Sequence, residues 1–190
     1  MREAQSEDES IWPSGAMLAG VAALSLALSA GLLPVVSAWE AAFSGYLFFT
    51  MALITWIDRR HFIIPDMLSL PAIAIGLLAS AIIAPYGDWS GAVTEGLAGA
   101  VIGGGTLLLV RATYFRLRGI EGLGLGDVKL AAAAGAWLGP AALAPACLVA
   151  ALAGILGMLL QAAVSGREAL TARSPVPFGS FIAPVIFAFW

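Results

Sequence analysis

Charge, histidine and cysteine are all scarce in this sequence. Only 11% of its 190 residues are charged and 61% are hydrophobic, whereas about a quarter of a soluble domain is charged. A water-soluble fold is excluded, and a bilayer has to be the solvent. One cysteine, Cys147, excludes an intramolecular disulfide and a cysteine zinc cluster within the chain. One histidine, His61, with no H-E-x-x-H, leaves no metal site and no nucleophile with its base. Cys147 reads as a packed core thiol and His61 as a loop residue; no metal and no cofactor are expected. The first fifteen residues, MREAQSEDESIWPSG, lack the positive n-region of a signal peptide and read as a disordered tail. Residues 16–190 then form one membrane-embedded domain. A net charge of −3 offers no basic face for nucleic acid. There is no internal repeat and no matched pair of broken helices of the kind that builds transporter sites.

Long apolar runs are abundant. Ala16 to Val36, Ala41 to Ile57, Met67 to Ala84 and Ala92 to Val110 each approach the ~20 residues a helix needs to cross a bilayer. From Val128 to Val164 the chain is apolar for roughly twice that length, so it must turn back. Gly139, Pro140 and Pro145 mark the hairpin, because glycine tolerates turn dihedrals and proline removes a backbone donor. A last piece, Phe178 to Trp190, is short for a span. The expected fold is all-α, a polytopic membrane bundle of six to seven transmembrane helices.

Topology follows from the nine basic residues, Arg2, Arg59, Arg60, Arg111, Arg116, Arg118, Lys129, Arg167 and Arg173. With these spans all nine fall on one side, which the positive-inside rule makes cytoplasmic, together with the N-terminus. Trp39, Trp56, Trp89 and Trp137 fall near helix ends and read as interfacial anchors.

Two loops on that side hold more than charge. WIDRRHFIIPDMLSLP places Asp58 at the end of helix 2 and Asp66 at the start of helix 3. RLRGIEGLGLGDVKLAAAAG alternates Gly122, Gly124 and Gly126 before Asp127 opens helix 5, a spacing that lets a backbone approach closely. Singly, Asp58 could pair with Arg59 or Arg60, and Asp127 could cap its helix. Together they are the acids nearest the lipid boundary in their loops, where an ionisable group is costly and marks function. Two carboxylates suffice for peptide hydrolysis, one taking a proton from water while the other polarises the scissile carbonyl. Helix ends suggest the roles, Asp58 near a C-terminus as the proton holder and Asp127 near an N-terminus as the base.

DRRHFIIPD followed by LSLP, then GLGLGDVKL, then PVPFG from Pro175 to Gly179 resembles the prepilin leader peptidase family. The resemblance implies an aspartyl endopeptidase of the bacterial inner membrane. It would cut the leader from type IV prepilins or type II secretion pseudopilins at the cytoplasmic face. It places the catalytic aspartates at Asp58 and Asp127, with Asp66, Gly124, Gly126, Lys129, Pro177 and Gly179 shaping the site or contacting substrate. Its implied partners are the prepilin and the lipid bilayer, and a homo-oligomer is compatible with it. Members that also methylate the new pilin N-terminus carry paired C-x-x-C motifs; with one cysteine, this chain is not expected to methylate. Ser180 stands where the commoner form of the last motif has proline. Two rival readings are a presenilin-like G-x-G-D protease and a small transporter or assembly subunit. I-P-D-M-L-S-L-P and PVPFG argue against the first, and aspartates at helix ends rather than mid-helix against the second.

Overall fold

The computed structural model describes residues 11–120, 122–165 and 178–190. Among these it forms six α-helices and no strand: α1 Gly15–Leu32, α2 Ala38–His61, α3 Asp66–Ile83, α4 Trp89–Arg118, α5 Leu125–Ser165 and α6 Gly179–Phe189. Five are long and apolar enough to cross a membrane, and α6 has 11 residues. The all-α membrane bundle read from the sequence is the architecture found. Residues 1–10 of the expected tail lie outside the described residues.

Local chemistry sets the helix limits. Ser37 and Glu40 form a reciprocal capping box at the start of α2, with Ser37 N–H donating to Glu40 Oε2 at 2.7 Å and Glu40 N–H to Ser37 Oγ at 3.2 Å. Asp88 caps α4 by accepting from Gly91 N–H at 3.0 Å. α4 runs past the expected end at Val110 to Gly119, which takes a left-handed φ of 68° and donates to the Phe115 carbonyl at 2.8 Å. The basic stretch Arg111 to Arg118, read as loop, is therefore about 12 Å more of helix, since nothing in RATYFRLR breaks it.

Gly139 divides α5 with a φ of 68° and a ψ of 175°. The chain doubles back there: the Ala131 carbonyl and the Leu143 side chain both lie against Gly103 of α4. Pro140 opens the second arm, where its missing N–H costs nothing. Counted by arm, the helices give the six to seven apolar segments expected. α4 and the first arm of α5 meet along a glycine seam, Gly99 against Gly135 and Gly103 against Ala131, so closely that a Cβ at Gly135 would overlap the Gly99 carbonyl.

Trp137 is a correction. It is 4% exposed, stacks on Tyr46 and donates its Nε1–H to the Ala72 carbonyl at 2.8 Å. Gly76 makes room for the ring, since a Cβ there would stand 2.7 Å from Cδ1. Trp137 is thus a core residue, not an interfacial anchor, whereas Trp39 and Trp89 are exposed as anticipated. Cys147 is half-buried and packs against the same core. α6 runs antiparallel to α2: Ser180 at its start bonds Asp58, and Trp190 beyond its end donates to Ser44 Oγ at 2.9 Å. That direction brings the N-terminus of α6 to the end of the bundle where α2 stops and α3 begins.

Candidate active site

Asp58 lies in the last turn of α2, where the apolar run ends at Ile57. Phe62 closes the helix with a φ of 55° and donates its N–H to the Asp58 carbonyl at 2.9 Å. A non-glycine residue in that region costs roughly 1–2 kcal/mol, and the turn it makes throws the chain outward. Pro65 then holds the extended backbone that precedes α3, and Ile64 between them is buried.

The Asp58 side chain is 4% exposed. Its Oδ2 accepts from the Ser180 N–H at 2.6 Å and from the Ser180 hydroxyl at 2.9 Å. Arg60 instead lies over the Trp56 ring, 4.5 Å from its centroid, so the Asp58–Arg60 pairing considered above is not formed. Gly179 is required by this arrangement. A Cβ there would come within 3.1 Å of the Asp58 carboxyl carbon and 2.8 Å of Ile64 Cδ1.

Asp127 is the third residue of α5, and its Oδ2 lies beside Gly124, just before the helix, where a Cβ would stand 3.3 Å from it. The start of α5 packs on the loop that follows Asp58. Gly126 explains how α5 comes so near: a Cβ there would meet Ile64 Cβ at 2.9 Å. Ile64 is thus wedged between Gly126 and Gly179 and fixes the spacing of α2, α5 and α6 around the two acids. Gly122 lies against the Tyr114 ring, and both it and Gly124 are exposed.

Asp66 and Lys129 meet outside this centre. Lys129 Nζ lies 2.5 Å from Asp66 Oδ1, with side chains 30% and 60% exposed, tying the first turn of α3 to the first turns of α5. Pro177 lies outside the described residues. The roles suggested by helix ends alone no longer follow, because the N-terminus of α6 aims its Ser180 N–H at Asp58 and opposes the C-terminus of α2 there. Ile64 and Ser180 are the site residues that sequence reasoning missed. The only signal for Ser180 was its departure from the usual proline, and nothing marked Ile64 beyond its place in I-P-D.

Two acids from distant segments, Asp58 buried and Asp127 half-buried, stand at helix ends around Ile64 and suit proton transfer about one small volume. The family model described as the type IV leader peptidase family matches residues 45–159, which include both. The chain belongs to the type IV leader peptidase family. Prepilin leader peptidase/N-methyltransferase of Burkholderia pseudomallei (strain 1026b) is 36% identical over 172 residues, 90% of this chain and 53% of the relative. Leader peptidase HopD of Escherichia coli, named for the peptidase alone, is 36% identical over 146 residues, 75% of this chain and 86% of its own length. The enzyme of Pseudomonas aeruginosa with the double name is 34% identical over 170 residues, 79% of this chain and 54% of its own. The chain therefore spans about half the length of the double-named leader peptidases it matches. No solved structure matches it.

Proposed function

We propose that this chain is an aspartyl endopeptidase that removes the leader of type IV prepilins or type II secretion pseudopilins, with Asp58 and Asp127 as its catalytic pair. The observation that carries the reading is the packing of one side chain, Ile64, against both Gly179, where a Cβ would lie 3.1 Å from the Asp58 carboxyl carbon, and Gly126, the residue before Asp127, which brings the end of α2 and the start of α5 to one place. Membership of the leader peptidase family supports it, as do relatives named for that activity.

Like charges in one site share a proton, and the pair titrates as a unit. The ionised member takes a proton from a water whose oxygen attacks the scissile carbonyl carbon. The protonated member gives its proton to the carbonyl oxygen, and a tetrahedral diol forms. When the C–N bond breaks, one diol hydroxyl returns a proton to the pair, the amine leaves with another, and the shared proton is restored. Placement at helix ends suits the substrate. A pilin precursor presents a basic leader outside the bilayer and an apolar helix within it, so its cleavage point arrives at the interface. We place the site and the N-terminus on the cytoplasmic side of the inner membrane, where the basic residues gather. Methylation is not part of the proposal.

Cleavage of a tagged prepilin in membranes containing the chain tests the reading. Asp58→Asn and Asp127→Asn are each expected to lower cleavage at least ~10³-fold, in the range of lost acid–base catalysis, and Asp66→Asn by a few-fold at most. A wild-type chain that leaves several prepilins intact, or Asn variants at both catalytic positions that still cut, would overturn it.

A further inference from the structure

Ser180 sits outside the stretch that matches the family model, yet it makes two hydrogen bonds to Asp58. Both residues are buried, and both bonds end on the same oxygen, Oδ2. Its backbone N–H belongs to the first turn of α6, where helix geometry leaves donors without intrahelical partners. Its hydroxyl has one hydrogen and two acceptors in reach, Asp58 Oδ2 at 2.9 Å and the Thr55 carbonyl at 3.3 Å. When Oδ2 is unprotonated, the hydroxyl donates to it. When Oδ2 carries the proton, the hydroxyl turns its hydrogen to Thr55 and accepts instead. A buried carboxyl group is thereby satisfied in both of the states that acid–base chemistry takes it through. Proline at this position, the commoner residue of the motif, would supply neither donor.

We propose that Ser180 is a positioning residue for Asp58, holding Oδ2 on the inner side through its N–H and hydroxyl so that Oδ1 is the oxygen left for water and substrate. The inference rests on the peptidase reading for its consequence, and on the hydrogen-bond geometry alone for the clamp itself. Gly179 is what allows it, since a side chain there would push α6 off the carboxylate.

Steady-state cleavage by the full chain in detergent, with Ser180→Ala, Ser180→Pro and Ser180→Thr, tests the consequence. Loss of one hydrogen bond to an ionised group corresponds to about a tenfold fall in kcat for Ser180→Ala, with KM within about twofold of wild type. Ser180→Pro removes the N–H as well, at a first-turn position that tolerates proline, and is expected to fall about a hundredfold. Ser180→Thr keeps both donors and stays within about threefold. Wild-type kcat in the Ala and Pro variants overturns the proposal, as does a loss confined to KM. The clamp is read separately, without substrate, by the rate at which a water-soluble carbodiimide modifies Asp58 in the folded protein, followed by mass spectrometry. Release of Oδ2 speeds modification several-fold in the Ala and Pro variants and not in the Thr variant. Equal rates in all of them overturn the clamp whether or not any prepilin is cut. Faster rates in a protein whose wild type cuts none leave the clamp standing and overturn the peptidase reading instead.

Discussion

α1 and α2 lie side by side, and the more apolar of the two is the one left outside. The mean hydropathy of α1 is 1.8 with 6% of its span buried; that of α2 is 1.3 with 56% buried. In water this order would be reversed. In a bilayer the lipid tails are as apolar as a leucine core, so hydropathy cannot sort inner from outer helices, and polar partners do it instead. α2 carries Ser44, Thr50 and Asp58 inward, and two of these are held by α6, through Trp190 and Ser180. α1 turns its Ser25 hydroxyl back onto its own Val21 carbonyl and shows Leu24 and Leu26 to the outside. Polarity on α2 marks the axis about which the site is built.

If the inner seams carry the fold, adding one methyl group to them is the severest small change. Gly135→Ala would drive a Cβ into the Gly99 carbonyl oxygen, which cannot move without separating α4 from α5. Overpacking of this kind costs about 1–3 kcal/mol, and a fall in the thermal midpoint in detergent reads it. Gly179→Ala meets Asp58 and the flexible end of Ile64. Its stability loss is smaller, about 1 kcal/mol, while cleavage falls at least ~10-fold because the carboxylate or α6 must shift. A Gly179→Ala enzyme of full activity would show that the spacing of α2 and α6 does not matter to the chemistry.

The legible parts of the molecule were those written in local signals. Asp58 and Asp127 each stood at the end of an apolar run, where an acid is conspicuous, and the turn at Gly139 followed from a run too long to cross once, broken by Gly139 and Pro140. What was hidden depended on facing. Trp137 lies near a helix end, which reports its depth but not its direction, and it points inward over Gly76. Ser180 is 122 positions from Asp58, and only the antiparallel course of α6 along α2 brings them together. Ile64 is one apolar residue among many until two glycines from different helices are seen to press on it.

The Lys129–Asp66 pair sits on the outer side of the same comparison, at the end of the bundle that holds the site yet open to solvent. Exposed ion pairs contribute about 0–1 kcal/mol and are screened by salt. Lys129→Ala is therefore expected to lower the thermal midpoint slightly at low ionic strength and not at all in about 1 M salt. A loss that persists in high salt would mean that the pair acts through packing of α3 on α5 rather than through charge.

The smallest effect belongs to the outer face of α1, and its size decides what that face touches. A methyl group at Gly20 meets nothing within 4 Å, whereas one at Gly45, on the α2 side of the same helix pair, would collide with the Ser29 hydroxyl. Gly20→Ala should leave the thermal midpoint within about 0.5 kcal/mol of wild type, with any gain coming from helix propensity, and Gly45→Ala should lower it by about 1–3 kcal/mol. If the two variants cost the same, α1 packs on both sides, and its leucines face a second protein surface rather than lipid.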